Sequence, residues 1–226
     1  MPTRTVPLVV DECYHIYNRG VARQPVFSKK RDYEHFLTTI SYYRFAHPPM
    51  RLSLFLELSE SIREKARKRL ETTERLVDIL CFILMPNHFH LLLKQRSHEG
   101  VSTFLRRSVN SYSRYFTTKY SRPGALFQGV FKAIHIESNE QLLHLSRYIH
   151  LNPLVSFIVQ KRDFLSYPWS SLPEYLATKP RLTDPTPIMH HFKTRHAYTQ
   201  FILDQADYGK NLESIKHLTL ENGKNP

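Results

Sequence analysis

The stretch LVDILCFILMPNHFHLLLK, residues 76–94, decides the fold of this chain. Its first half, residues 76–85, is a continuous apolar run, which is typical of a central strand buried on both faces. Pro86 and Asn87 predict a turn, and residues 88–94 predict the next strand. The stretch therefore predicts a β-hairpin within an antiparallel sheet.

Further strands and helices are predicted on both sides of this hairpin. Alternation and helical periodicity predict strands at residues 13–18, 76–85, 88–94 and 131–136 and helices at residues 32–45, 101–120 and 138–152. Ser138 and Gln141 fit a capping box at the start of the last helix, and Pro153 predicts its end. The order β-α-insert-β-β-α-β-α indicates an α+β fold. We expect a ferredoxin-like (RRM-like) antiparallel sheet with helices on one face and the other face open to a ligand.

Two segments lie outside this pattern. Residues 58–76 are highly charged and predict an inserted amphipathic helix with a solvated face. From Lys179 onward the chain is polar and contains several prolines, which predicts a C-terminal appendage with one or two short helices. We therefore expect one main domain over residues 1–178 and a tail over residues 179–226.

The charge balance indicates a polyanionic partner. The 226 residues include 32 Lys and Arg but only 20 Asp and Glu, a formal net charge of +12. Such an excess favours nucleic acid, with an anionic membrane surface as the alternative. Two cysteines exclude a disulfide-rich scaffold and a cysteine-ligated zinc site. No Gly-rich phosphate-binding motif is present, and no apolar run approaches the roughly 20 residues that span a bilayer. We expect a cytoplasmic protein without a nucleotide cofactor or a membrane partner.

His88 and His90 form the first candidate site. Residues two apart on a strand share a face, so these imidazoles lie opposite Phe89, which packs under the helices. Packing alone explains two neighbouring imidazoles poorly, because each ring nitrogen needs a partner. A shared divalent metal would supply one. The alternative is two half-exposed histidines on a surface strand, and the spacing alone favours neither.

The second candidate site lies on the helix predicted at residues 138–152. Tyr148 and Asn152 are one turn apart and can address one point. An amide oxygen could be a third metal ligand, and the neighbouring phenol could be a nucleophile. The alternative is a tyrosine at the edge of the core and an asparagine that caps the helix. His144, one turn before Tyr148, could assist as a base or hydrogen-bond DNA.

The third candidate site is a basic segment over residues 101–135 that contains no acidic residue. Basic side chains neutralise phosphates and aromatic rings stack on exposed bases, so the segment favours single-stranded or hairpin nucleic acid. The alternative is a solvated basic helix. Its cations are Arg106, Arg107, Arg114, Lys119, Arg122 and Lys132, and its interleaved aromatic residues are Tyr115, Tyr120, Phe127 and Phe131.

Several motifs together resemble a known family. MPNHFHLLLK (residues 85–94) is similar to the His-hydrophobic-His signature of the HUH single-tyrosine transposases. YHIYNRG (14–20), ALFQGVFK (125–132), YIHLNP (148–153) and YPWSSLPEYL (167–176) follow in the order of one branch. That branch is the REP-associated tyrosine transposases, also called IS200-like transposases. The resemblance spans about residues 14–176, and Val130 stands where the family usually has Arg.

The resemblance implies an HUH endonuclease fold and a role for each matching residue. His88 and His90 match the metal-binding pair, Asn152 matches the third ligand of Mg²⁺ or Mn²⁺, and Tyr148 matches the catalytic tyrosine. The implied activity is metal-dependent cleavage and strand transfer of single-stranded DNA at hairpin-associated sites through a 5′-phosphotyrosine. The matching segments add Arg19, Phe127, Gln128 and Lys132 to the candidate DNA contacts.

The resemblance also implies a partner and leaves rival functions to be weighed. The implied partner is a REP-like DNA hairpin, which would make the protein nucleoid-associated when bound, and a monomer is favoured over a homodimer. One rival is a non-catalytic nucleic-acid-binding module on the same sheet. An RRM would carry aromatic residues on its central strands in place of the histidines. The other rival is a metal-dependent hydrolase that uses water.

Overall fold

The structure is a computed structural model that describes residues 7–206. In this part of the chain four strands form an antiparallel sheet in the order β2-β3-β1-β4. The strands are β1 (Cys13–Arg19), β2 (Val77–Met85), β3 (His88–Gln95) and β4 (Lys132–Ile136). The predicted α+β fold with a four-stranded antiparallel sheet is confirmed, and the hairpin turns at Pro86 and Asn87 as expected.

The helices follow the predicted order with two differences. They are α1 (Lys30–Tyr43), α2 (Leu52–Glu57), α3 (Glu60–Glu71), α4 (Gly100–Lys119), α5 (Asn139–Val155), α6 (Leu172–Leu176), α7 (Thr186–Met189) and α8 (Arg195–Leu203). The insert predicted at residues 58–76 forms one helix, α3, as expected, but the short helix α2 that precedes it was not predicted. The predicted helix end at Pro153 is wrong. Helix α5 continues through Pro153 and ends at Val155, although the proline nitrogen cannot donate a hydrogen bond to the preceding turn.

The described chain divides into two compact units. The first runs up to Ile79 and includes Leu84–Glu137, and the second consists of Leu80–Ile83 and the chain from Ser138 onward. The predicted boundary at residue 178 stays a prediction. Helices α7 and α8 agree with the short helices expected in the tail, whereas residues 207–226 of that tail lie outside the described residues. Within residues 7–206 no helix is long and apolar enough to cross a bilayer.

The core of the first unit packs around Phe89 of β3. Its ring lies 5.1 Å from that of Phe36 on α1 and 5.6 Å from that of Phe127. Tyr112 of α4 packs edge-on against Phe36 at 5.0 Å, so helices α1 and α4 cover the Phe89 side of β3. This agrees with the predicted direction of Phe89 and leaves His88 and His90 to the opposite face of the strand.

A buried carboxylate fixes the start of α1. The side chain of Asp32 accepts hydrogen bonds from the backbone amides of Ser28 and Lys29, which satisfies amides at the beginning of the helix. Lys119 forms an ion pair with it, and the Tyr120 hydroxyl donates to it from 2.8 Å. Burial opposes the ionisation of Asp32, but these hydrogen bonds outweigh it and hold its pKa below the ordinary value.

We predict that Asp32→Asn lowers the free energy of unfolding by about 3 kcal/mol at pH 7, because it leaves a charge and several donors without their anionic partner. The pKa of Asp32 is lower in the folded chain, so its contribution is complete above the unfolded pKa of about 3.9 and disappears as the pH falls through the folded value. Urea unfolding of the wild type and of Asp32→Asn from pH 7 to pH 3 should show that the difference in their free energies of unfolding becomes smaller.

Glu34→Gln is the matched control on the same helix. Glu34 pairs with Lys30 at 3.6 Å, but both side chains are largely exposed. Such a pair contributes less than about 1 kcal/mol to the free energy of unfolding. Equal effects of the two substitutions would contradict the stabilising role of Asp32.

Candidate functional site

The pairing of β1 with β3 builds a polar surface on the side of the sheet opposite Phe89. In the observed register Tyr17 lies opposite His90 and Arg19 lies opposite His88. Because side chains alternate along a strand, His15 and Tyr17 share the face of the two predicted histidines. We call the face that carries His15, Tyr17, His88 and His90 the histidine face.

Asn87 determines which ring nitrogen of His88 carries the proton. The Asn87 side-chain nitrogen donates to the backbone oxygen of Arg23 at 3.1 Å, so the other end of this amide is its oxygen. That oxygen lies 2.6 Å from Nδ1 of His88. An amide oxygen only accepts, and Nδ1 of His88 is therefore the protonated nitrogen. The lone pair of the neutral ring is then on Nε2, the nitrogen that a metal would bind.

His90 has an equivalent partner in His15. Nδ1 of His90 lies 2.8 Å from Nε2 of His15, and the two rings stack with their centroids 5.1 Å apart. The ring of Tyr17 packs against both imidazoles, 5.7 Å from His90 and 5.1 Å from His15. The rings of His88 and His90 are 5.0 Å apart at nearly a right angle. The structure thus brings the predicted histidine pair together and gives each member a hydrogen bond at Nδ1.

The histidine pair is electrically neutral near pH 7. Burial lowers the pKa of His88 to about 4, with a smaller effect from Arg19. Burial, followed by the neighbouring His88, His15 and Arg19, lowers the pKa of His90 to about 2. Only an unprotonated imidazole binds a metal ion, so the chemistry of the pair fits a divalent cation. Within residues 7–206 no three His, Cys, Asp or Glu side chains converge as a metal site.

Helix α5 carries the predicted tyrosine in the second unit. Tyr148 is 51% exposed, whereas Ile149 is fully buried. The amide nitrogen of Asn152 donates to the backbone oxygen of Tyr148 at 3.2 Å, which leaves Oδ1 as the atom that could face a cation. Ser156 caps the helix instead, so the alternative of Asn152 as the C-terminal cap is wrong. Ligation of one metal by the histidines and Asn152 stays a prediction.

His144 contacts two charged residues of its own helix. Its Nδ1 is 2.6 Å from the Arg147 guanidinium, and its Nε2 is 3.7 Å from the carboxylate of Glu140. Arg147 in turn packs on the ring of Phe201 in α8, with its guanidinium carbon 4.0 Å from the ring centre. The role of His144 as an assisting base therefore stays a prediction.

A buried network on the other side of α5 holds the C-terminal helix. His150 is fully buried, and its Nδ1 lies 2.8 Å from the hydroxyl of Tyr198 in α8. Its Nε2 lies 2.7 Å from Oγ of Ser171 and 3.2 Å from Sγ of Cys81. Burial lowers the pKa of His150 to about 3, so the ring is neutral. Tyr198 also donates to Ser146 of α5 at 3.3 Å. The polar groups of this core are thus satisfied by one another.

The structure corrects part of the predicted DNA-contact set. Phe127 is buried against Phe89 and cannot stack on a base, so its predicted role is wrong. The charge of Lys119 is neutralised by buried Asp32. Arg107 donates to the backbone oxygen of Ala46 at 2.9 Å. These three residues support the fold of the first unit. Phe127 does so by packing, and the long side chains of Lys119 and Arg107 do so by bringing a cation to an acceptor within the fold.

The other members of the set are mostly exposed. Arg106, Arg114 and Gln128 are exposed, and Arg122 is half-buried. Arg19 and Lys132 are exposed at the histidine face, where the Lys132 ammonium lies 5.8 Å from the ring centre of Tyr17. This accessible group is compatible with the predicted phosphate contacts, which stay predictions.

Sequence reasoning missed His15, Tyr17 and Asn87. The signal for two of them was present, because CYHIYNR repeats on β1 the two-residue spacing that singled out HFH on β3. What the sequence lacked was the register that places β1 beside β3. Asn87 was recognised as a turn residue, but its contact with His88 depends on the position of Arg23.

Comparison with known proteins agrees with this description. A family model described as "Transposase IS200 like" matches residues 9–152, more than half of the chain. A solved structure of a REP-associated tyrosine transposase bound to a REP hairpin has a TM-score of 0.51 and 14% sequence identity. The match covers 82% of this chain and 94% of that one. At this identity the likeness shows the fold alone. No curated protein sequence matches.

We predict that Tyr198→Phe lowers the free energy of unfolding by about 1–3 kcal/mol, because it removes a hydrogen-bond partner from buried His150. Tyr148→Phe makes the same chemical change at an exposed position of α5 and should alter stability by less than about 0.5 kcal/mol. Thermal and urea unfolding of both variants would measure this. A stable Tyr198→Phe protein would show that the hydroxyl is not needed to satisfy His150.

Proposed function

The chain belongs to the family of IS200-like transposases, and we propose that it breaks and rejoins single-stranded DNA through a covalent bond to Tyr148. Transposition and DNA binding are the properties of the family. The observation that carries the finer proposal is the exposure of the Tyr148 phenol within the family-matched segment, on a helix whose opposite side is buried. An accessible hydroxyl on a well-supported helix is suited to act as a nucleophile.

The proposed reaction is a phosphoryl transfer in two balanced steps. The Tyr148 oxygen attacks the phosphorus of a phosphodiester, the bond from phosphorus to the 3′ oxygen breaks, and the phenol loses a proton while the departing 3′ oxygen gains one. The product is a 5′-phosphotyrosine and a free 3′-hydroxyl. A 3′-hydroxyl then attacks the phosphotyrosine and releases Tyr148. Each step exchanges one phosphorus–oxygen bond for another, so no ATP is required.

The histidine pair would hold a divalent cation for this reaction. Two neutral imidazoles tied at Nδ1 are suited to bind through Nε2, and Asn152 would add an amide oxygen. Mg²⁺ or Mn²⁺, when bound, would polarise the scissile phosphate as a Lewis acid. The proposal requires Tyr148 and the histidines to act on the same phosphodiester.

We propose a single-stranded DNA hairpin as the substrate. The net charge of +12 supports a polyanion, and the solved relative is bound to a REP hairpin. Accessible cations of the first unit, Arg106 and Arg114 on α4 and Arg19 and Lys132 at the histidine face, would contact the phosphates. We propose that the protein acts on this DNA in the cytoplasm.

We predict that Arg106→Gln and Arg114→Gln each weaken binding of all hairpin sequences about equally. Each loses one phosphate contact, so the slope of log affinity against log salt should fall by about 0.7–0.9. Fluorescence anisotropy at salt concentrations from about 50 to about 300 mM would measure this slope. The rate of cleavage on saturated DNA should stay unchanged.

Lys119→Gln is the matched control on the same helix. Its charge is committed to Asp32, so the substitution should destabilise the fold and leave the salt slope of the folded protein unchanged. A reduced slope for Lys119→Gln with no change for the two arginine variants would show that the DNA does not contact Arg106 and Arg114.

We further predict that the protein forms a covalent adduct with hairpin DNA in Mn²⁺ and that Tyr148→Phe abolishes it. His88→Ala and His90→Ala should also abolish cleavage but retain most DNA binding, because neither substitution removes any of the accessible arginines and lysines. Denaturing gels and peptide mapping of the adduct would measure this. A mixture of Tyr148→Phe and His90→Ala should stay inactive if the protein works as a monomer.

Three other results would change the assignment. Turnover by Tyr148→Phe without an adduct would indicate a hydrolase that uses water. Binding without cleavage by the wild type would indicate a non-catalytic module. Recovered cleavage in the mixture of variants would indicate a homodimer in which one protomer supplies the tyrosine and its partner the histidines.

A further inference from the structure

The proposed reaction assigns no role to His15, a titratable residue of the histidine face. His15 of β1 is 8% exposed and stacks on His90. Its Nε2 lies 2.8 Å from Nδ1 of His90, a normal hydrogen-bond distance. Two imidazoles that are both neutral share such a bond only if one donates and the other accepts, so the bond couples the tautomers of the two rings.

We propose that His15 is a positioning residue that accepts the Nδ1 proton of His90 and thereby directs Nε2 of His90 toward a divalent cation. The inference rests on the proposed function, because it assumes that His88 and His90 hold the metal. It adds a residue whose own nitrogens do not bind the ion. A ligand histidine is held in orientation and made more basic by such a partner.

The neighbouring histidine supports this direction of the bond. Asn87 accepts the Nδ1 proton of His88, because its own amide nitrogen is committed to Arg23. If His15 plays the same part for His90, both histidines have the same tautomer and present the same nitrogen from the same face. The reverse direction would put the His90 proton on Nε2, the atom that must bind the metal.

A direct role of His15 as a third ligand does not fit the geometry. Its Nε2 is engaged with His90, and within residues 7–206 no three His, Cys, Asp or Glu side chains converge as a metal site. The packing of Tyr17 on both rings holds the two imidazoles in their stacked arrangement. The pair therefore acts as one unit in which His90 is the ligand and His15 its support.

Two substitutions at His15 separate hydrogen bonding from packing. His15→Phe keeps an aromatic ring but has no acceptor, whereas an amide oxygen in His15→Gln can occupy the position of Nε2. We expect His15→Phe to weaken Mn²⁺ binding by the metal-free full-length protein by about 10- to 100-fold, as is typical for such partners. His15→Gln should recover most of that loss. Isothermal titration calorimetry with Mn²⁺ alone measures both values without requiring activity.

His135→Phe is the matched control. His135 lies opposite Tyr14 in the register of β1 with β4, on the other face of the sheet, and pairs with Glu12 at 2.9 Å. The His135→Phe variant should bind Mn²⁺ with the same affinity as the wild type. Equal affinity of His15→Phe and wild type would overturn the inference but leave the proposed function intact. No binding by the wild type would instead contradict the metal site, and the role of His15 with it.

A second measurement requires no variant. Long-range ¹H–¹⁵N correlation spectra of histidine-labelled, metal-free wild type show which ring nitrogen carries the proton. We expect the proton of His90 on Nδ1 and that of His15 away from Nε2. A His90 proton on Nε2 would overturn the inference even if His15→Phe failed to fold.

Discussion

The pairing of β1 with β3 is the constraint on which the histidine face depends. Phe89 must stay under helices α1 and α4, because its ring is part of the core of the first unit. Strand alternation then places His88 and His90 on the opposite face, and the register brings Tyr17 and His15 to them from β1. A slip of one residue would exchange the two faces of β1. Hydrophobic packing on one side of the sheet thus positions polar groups on the other.

Helix α5 combines an exposed side with a buried polar one. Tyr148 is half-exposed, while His150, two residues later, is fully enclosed by Ser171, Cys81 and Tyr198. Such a network is stable only when every member has a partner. Tyr198 belongs to α8, beyond the segment that the transposase family model matches. The C-terminal helices therefore support the tyrosine-bearing helix, and they are not a loose appendage within the described residues.

The basic residues show that a count of charges does not identify a binding surface. Lys119 and Arg114 lie on one helix five residues apart, yet Lys119 neutralises buried Asp32 and Arg114 is exposed. Arg107 donates a hydrogen bond to the backbone oxygen of Ala46, whereas its neighbour in sequence, Arg106, is exposed. The absence of acidic residues nearby in sequence was misleading, because the acid that pairs with Lys119 comes from α1. The net charge still indicates a polyanionic partner, since it does not depend on such pairing.

The sequence by itself determined the strand order of the hairpin, the α+β class, the opposite faces of Phe89 and His88, and the motifs of the family. These follow from local periodicity and from residues a few positions apart, which the chain geometry relates directly. Only the tertiary structure decided that His15 bonds to His90, that Asn87 orients His88 and that Phe127 is core. It also decided that α5 passes through Pro153, despite the hydrogen bond that a proline nitrogen cannot donate. Each of these depends on residues far apart in sequence, and no local pattern specifies which distant groups meet.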